Sequence, residues 1–235
     1  MTSPSRFLRR SQLSRQHDSC GANYVDIAGH CFVANYGDSE GELRQLANLA
    51  IADLSMLPRI GFKGVDTSQW LRAHGYDLPA APNLATRQAD GSFIARLSND
   101  EHLLISDLAC TSPMIDSCSA NWSLDIVERC YRLERADSHA CLIVVGHKSP
   151  ELFSKLCGVD LRPDKFADGQ VAQTSLARSN AIIVRLDIGA VNAFYVLCDV
   201  SVAPFLWMSV LDGMREFTVT PAVGIDALRK LAVGD

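Results

Sequence analysis

Polar side chains crowd a stretch that otherwise reads as β-structure. Over 171–186 the chain is rich in β-branched and apolar residues, yet Gln173, Thr174, Ser175, Arg178, Ser179 and Asn180 sit within it. A strand buried for stability alone alternates apolar residues on its inner face, so this cluster faces either solvent or something bound. Arg178 can pair with a carboxylate, while Gln173 and Asn180 offer amide donors and acceptors. A second candidate is Lys63-Gly64, just before a predicted helix. A cation beside a helix start can hold an anion, although a plain strand-to-helix turn explains the same residues. A third is Asp137-Ser138-His139, the residue types of a hydrolase triad. Triad members meet in space rather than in sequence, and no nucleophile elbow is present, so a solvated lead-in to the next strand is the default.

The eight cysteines, Cys20, Cys31, Cys110, Cys118, Cys130, Cys141, Cys157 and Cys198, include no C-x-x-C pair. A zinc site needs close ligand pairs, and only His30-Cys31 with Cys20 or His17 comes near, so no metal is expected. Cys141, Cys157 and Cys198 lie in apolar segments and read as small core residues of a protein in a reducing cytoplasm.

The elements that must position these residues are legible in part. An apolar strand over 140–145 leads into a helix over 149–156, capped by Ser149, with Pro150 at its first position and Gly158 past its end. The run 171–186 then turns at 187–190 into a second apolar run, which predicts a hairpin. Earlier, helical spacing over 39–49 leads to a strand from Ile51, a short strand over 59–64 precedes a helix over 66–74 carrying Trp70 and Leu71, and 92–98 pairs with 102–107 across Asn99-Asp100. Residues 109–121 show no clear periodicity. Ser123 is predicted to cap a helix reaching Tyr131, and 19–38 is assigned only irregular or edge structure. An amphipathic helix over 204–216 and a short closing helix opened by Gly224 complete the chain. Together these give an α+β fold of antiparallel sheets with packed helices.

Composition bounds the rest. The 235 residues are 48% hydrophobic and 21% charged, enough for a sizeable core, and the net charge of -5 argues against nucleic-acid binding, which needs a cationic face. No apolar run approaches the roughly 20 residues that cross a bilayer, so no membrane partner is expected. Residues 1–16 hold Arg6, Arg9, Arg10 and Arg15 and no acid, the pattern of a transit peptide or a basic arm, or simply of a loosely docked terminus. There is no dinucleotide or phosphate-loop motif.

In collinear order over 52–231, ADLS, RIGFKG before a Trp-bearing helix, LPAAPN, ARLSNDEHLLIS, the long stretch from DSHACLIVV through GVDLRPDKFADGQ to VAQTSLARSNAIIV, the helix around Trp207, and VGIDALRKL resemble the gamma subunit of heterotetrameric sarcosine oxidase. LPAAPN and VAQTSLAR are the most specific of these, and the first fifty residues match nothing. Residues 1–50 are therefore expected to form a lead-in arm, and 51–235 a gamma-like unit of two subdomains, 51–135 and 136–235. That subunit is similar in turn to the glycine cleavage T protein, a folate-binding aminomethyltransferase, which implies the same antiparallel α+β fold.

What the resemblance implies is a non-catalytic subunit packed on the alpha chain of a flavin-dependent oxidase that demethylates sarcosine or a related N-methyl amino acid. Beta and delta chains complete the assembly; FAD, FMN, NAD and tetrahydrofolate belong to the complex, with none on this chain. Trp207, Phe205 and Trp122 are candidate interface anchors. The T protein's R-T-G-Y-T-G-E segment corresponds to the stretch from Arg178, but Ser179-Asn180-Ala181-Ile182-Ile183 replaces its glycines and its pterin-holding glutamate has no equivalent. Nor does an Asn-Ala pair stand before Asp116, where the T protein's catalytic aspartate lies. A residual folate-like pocket would use Arg178, Gln173, Asn180 and Lys63, the alternative being a stand-alone tetrahydrofolate-binding protein.

Overall fold

The computed structural model describes residues 4–234. A short 3-10 turn (Pro4–Arg6) and helix α1 (Ser14–Ser19) lead into a hairpin, β1 (Asn23–Ile27) and β2 (His30–Asn35). Then follow α2 (Ser39–Asn48), β3 (Ala50–Asp53), β4 (Arg59–Lys63), α3 (Thr67–Ala73), β5 (Leu84–Arg87), β6 (Phe93–Arg96), β7 (Glu101–Ile105) and α4 (Pro113–Asn121). The second half runs β8 (Tyr131–Leu133), α5 (Arg135–Ser138), β9 (His139–Val145), α6 (Ser149–Leu156), β10 (Val171–Leu176), β11 (Ser179–Arg185), β12 (Ala193–Asp199), α7 (Ala203–Met214) and α8 (Ile225–Val233).

Two five-stranded antiparallel sheets face each other, one in the order β10-β11-β12-β9-β3 and the other β5-β6-β7-β4-β8. Strand β9 shows why its sequence is continuously apolar: Cys141, Ile143 and Val145 point into the layer between the sheets, while Ala140, Leu142 and Val144 point outward under α6 and α7. Both faces are buried, so period-two alternation disappears. The inter-sheet layer also takes Phe93, Leu103 and Ile105 from the second sheet, with Phe32, Leu46 and Leu228 closing it. On the far side, Trp70 and Leu71 of α3 and Ile115 of α4 cover Ile60, Phe62 and Leu104. Each such fully buried side chain contributes roughly 1.5–3 kcal/mol of transfer free energy, which is what binds the outer helices to the sheets.

Strand β3 belongs to the sheet built mainly from 139–199, and α2 packs through Leu46 into the inter-sheet layer. The two sheets are stitched at one edge, where Ala85 N–H donates to Gly169 O at 2.7 Å and Val171 N–H to Asn83 O at 2.9 Å.

Several expectations are corrected. The run 171–186 is not one strand: it folds back at Ala177-Arg178, whose φ values are 47° and 64°, so β10 and β11 pair with each other and β11 then pairs with β12. This is the left-handed geometry of a two-residue hairpin turn, reached without the glycine or asparagine that normally marks it. Residues 19–38 contain a hairpin turned at Ala28-Gly29, with one register shift between Asn23 and Tyr24. Residues 109–121 end in α4, capped by the Ser112 hydroxyl, which accepts from Ile115 N–H. The helix expected from Ser123 to Tyr131 does not form; the chain turns there, leaving Leu124 and Val127 exposed, and Tyr131 opens β8. Ser149 is the first residue of α6 rather than its cap, and its buried hydroxyl makes no hydrogen bond in the structure.

The N-terminal segment is firmly docked. Leu13 is completely buried against the α6–α7 layer, and His17 packs edge-on against Trp207 at 5.2 Å between centroids. No helix among the described residues is long and apolar enough to cross a membrane.

Candidate functional site

The antiparallel register decides which polar residues meet. On β10, Gln173 and Ser175 share the inner face with Val171, and on β11 Asn180 shares it with Ile182 and Val184. Asp199 at the end of β12 lies opposite His139 at the start of β9. These strand ends extend past the second sheet, so their inner-face residues line a cleft of about 480 Å³ with Gln173, Thr174, Asn180, Ile182, Leu197, Asp199 and His139. Two of the four residues expected in a pocket, Gln173 and Asn180, are thus brought together.

The other two are not. Arg178 stands exposed at the tip of the β10–β11 turn and makes no hydrogen bond or ion pair among the described residues. Lys63 is exposed and pairs with Glu101 at 2.9 Å. Glu101 also accepts from Arg135, whose guanidinium lies 3.4 Å from His139 Nε2, so Lys63 is separated from the cleft by two intervening side chains. Gly64 offers no free donor either: its N–H donates to Asp100 O at 2.9 Å, and a Cβ there would fall 1.9 Å from the Arg129 carbonyl oxygen.

One wall of the cleft is fixed by Arg59. Its guanidinium, 4% exposed, donates to the carbonyls of Ser55 and Leu57 at 2.9 Å, of Arg135 at 3.2 Å, of Ala136 at 3.1 Å, and of His139. A planar five-donor group suits this convergence of backbone acceptors. Arg59 therefore ties the loop after β3 to α5 and the start of β9. Sequence reading missed it because no carboxylate partner accompanies it.

The electrostatics hold His139 neutral. Burial, then Arg135 and Arg59, push its pKa below the ordinary histidine value. Ser138 Oγ donates to Glu134 O at 2.9 Å, which leaves its oxygen to accept from His139 Nδ1 at 2.9 Å. In that tautomer Nε2 is the acceptor facing Arg135. The serine's only proton is committed to a carbonyl and the histidine is oriented by a cation instead of a carboxylate. Asp137 points away, to Arg9 at 3.3 Å. The Asp137-Ser138-His139 arrangement therefore lacks the proton path of a nucleophilic triad.

The cleft also fails as a pterin grip. A pterin's donor edge needs a carboxylate able to accept two hydrogen bonds. Asp199 is the one carboxylate lining the cleft, and its Oδ1 already accepts from Ser201 N–H at 2.8 Å and Ser201 Oγ at 2.5 Å, bonds that hold its pKa below the usual range. The Gln173 amide nitrogen is spent on Asn83 Oδ1 at 2.9 Å and Leu97 O at 2.7 Å, bridging the two sheets. Asp116 is exposed on α4, away from these residues. The residues present do not fit tetrahydrofolate.

Of the aromatic anchors, Trp207 is a core residue at 3% exposure, because α7 turns it inward onto His17. Trp122 is half-buried, its indole N–H donating to Cys130 O at 2.7 Å. Phe205 is 55% exposed, one turn from Met208 at 53%. Cys141 and Cys198 are buried and Cys157 half-buried; all eight cysteines are free thiols, and the described residues contain no group of three metal-ligating side chains.

No protein-family model matches the sequence, and no curated protein matches it. Solved structures do. A chain of heterotetrameric sarcosine oxidase from Corynebacterium sp. U-96, in complex with pyrrole 2-carboxylate, superposes with a TM-score of 0.65 at 19% identity, covering 91% of this chain and 98% of that one. The glycine cleavage system aminomethyltransferase T from Bartonella henselae superposes with a TM-score of 0.71 at 16% identity, covering 96% of this chain; the match spans only 62% of the aminomethyltransferase's length. The fold is thus the aminomethyltransferase-type α+β fold of antiparallel sheets.

Proposed function

We propose that this chain is a gamma-type, non-catalytic subunit of a multi-subunit flavin-dependent oxidase acting on sarcosine or another N-methyl amino acid. The supporting observation is one of extent: the fold accounts for 98% of the sarcosine oxidase chain it resembles but only 62% of the aminomethyltransferase.

The absence of a working site in the cleft agrees with this role. The subunit would pack on a large alpha chain that carries the redox chemistry, with beta and delta chains completing the assembly and FAD, FMN, NAD and tetrahydrofolate held elsewhere. The exposed Phe205 and Met208 on α7 are the apolar side chains we assign to that contact, which for an obligate subunit buries above about 2,000 Å².

The test is co-expression of a tagged form with the large flavoprotein subunit of a heterotetrameric sarcosine oxidase. Recovery of a flavin-containing complex supports the reading, and Phe205→Asp should weaken recovery by at least tenfold. A partner-free monomer that binds tetrahydrofolate on titration would support instead a stand-alone aminomethyltransferase-like protein.

A further inference from the structure

The inter-sheet layer has a second mouth, opposite the Gln173–Asn180 cleft, where the loops after β7 and β11 meet α8. A groove of about 480 Å³ lies there, a volume within the range of small-ligand sites. Its floor is apolar: Phe93 and Tyr195 lie 5.0 Å apart between centroids, and Ile188 is 8% exposed beside them. Its rim is charged, with Arg87, Arg229, Asp107 and Asp187 all contributing.

The two carboxylates are already engaged. Asp187 accepts from Arg185 Nε at 3.0 Å and Nη2 at 2.7 Å and from Ala193 N–H at 3.1 Å. Asp107 accepts from Thr111 N–H at 3.0 Å and Ser106 Oγ at 3.1 Å. The two arginines are not neutralised. Arg87 has only a backbone partner, Asp187 O at 2.5 Å, and Arg229 has no hydrogen bond or ion pair among the described residues. The balance of unengaged charge at the rim is therefore positive.

A further observation points inward. Tyr195 is 6% exposed and lines the groove, yet its hydroxyl has no hydrogen-bond partner among the described residues. Its ring is buried while its hydroxyl reaches the surface of the groove, where it is open to a partner. An occupant that accepts a hydrogen bond would supply it.

We propose that this groove binds a small amphipathic anion, with the acidic group held between Arg87 and Arg229, an apolar or aromatic body against Phe93 and Ile188, and an acceptor reaching Tyr195. The proposal stands independently of the subunit reading, since it concerns the other mouth of the layer and does not depend on any partner chain.

The probe is 8-anilinonaphthalene-1-sulfonate, titrated by fluorescence into the full chain, with uncharged N-phenyl-1-naphthylamine as the control. Arg87→Gln and Arg229→Gln are each expected to weaken the sulfonate dye about tenfold, the size of a lost charge-assisted hydrogen bond, and to leave the uncharged dye unchanged. Tyr195→Phe, which keeps the ring and the core, should weaken the sulfonate dye roughly threefold. Ala232→Trp, exposed on α8 at the rim, should block both dyes. Sulfonate binding that survives the arginine substitutions, or dyes that still bind when Trp occupies the rim, would overturn the assignment.

Discussion

His17 and Asp53 meet in a buried hydrogen-bonded contact, Nε2 to Oδ2 at 2.9 Å with both side chains almost wholly covered, and it joins the N-terminal segment to the central sheet. Ser11 also donates to Asp53, Ser55 N–H donates to it at 2.8 Å, and the Tyr36 hydroxyl lies 2.8 Å from His17 Nδ1. An arginine-rich stretch that reads as a loose arm is thereby held by two residues in and beside α1.

Removing one partner strands the other. His17→Ala leaves the buried Asp53 without one of its hydrogen-bond partners and should cost about 1–3 kcal/mol, read as a lower urea midpoint together with protease cleavage near Arg9 and Arg15. Burial alone would raise the Asp53 pKa, but the hydrogen bonds from His17, Ser11 and Ser55 and the charge of His17 bring it below the ordinary value. A depressed carboxylate contributes stability that is present above its unfolded pKa, near 3.9, and lost as pH falls through the folded value. Asp53→Asn should remove that part of the acid sensitivity; an unchanged acid limb would contradict it.

How much of this was readable follows from where the signal lies. Helices α2, α6 and α7 carry their pattern locally, in spacing such as Leu43, Leu46, Ala47 or Pro150 after Ser149. Hairpin β6–β7 is bracketed by Asn99-Asp100. The β10–β11 turn was hidden because Ala177 and Arg178 occupy positions where glycine would have announced it. Helix α4 was hidden by its Ser- and Cys-rich composition, although Ser112-Pro113 is a start signal. The helix expected from Ser123 failed because its apolar face had nothing to pack on. Gln173 and Asn180 were found because they interrupt a strand. His139, Asp199, Glu101 and Arg135 were not grouped, since only the register of β9 with β12 and the placing of α5 bring them together.

The strained turn makes a sharp case for Arg178. A non-glycine residue held at φ 64° costs on the order of 1 kcal/mol, and Arg178 makes no compensating contact. Arg178→Gly should therefore raise the melting temperature by roughly 2–4 °C, the shift expected of about 1 kcal/mol in a chain this long. A fall would show that the arginine is engaged in the folded protein.

His102 provides a second source of pH dependence. It is fully buried on β7, Nδ1 has no partner in the structure, and Ser68 Oγ lies 3.5 Å from Nε2. Burial, then Arg96 and Arg72, lower its pKa to about 4. The unfolded chain, with a histidine near pKa 6.5, binds the proton first, so stability should fall as pH drops from about 6.5 towards 4. Urea midpoints measured across that window should decline less steeply in His102→Gln; identical slopes would remove His102 as a contributor.

The most direct measurement of the central claim is sarcosine-dependent peroxide production by the co-expressed flavoprotein complex, assembled with the wild-type chain, without it, and with a His139→Ala, Asp199→Asn chain. The account predicts that omission abolishes soluble activity while the doubly substituted chain sustains a kcat within about twofold of wild type, because the cleft positions structure and performs no chemistry. An intact complex whose kcat falls a hundredfold or more with the cleft variant would contradict it and make the cleft an active site.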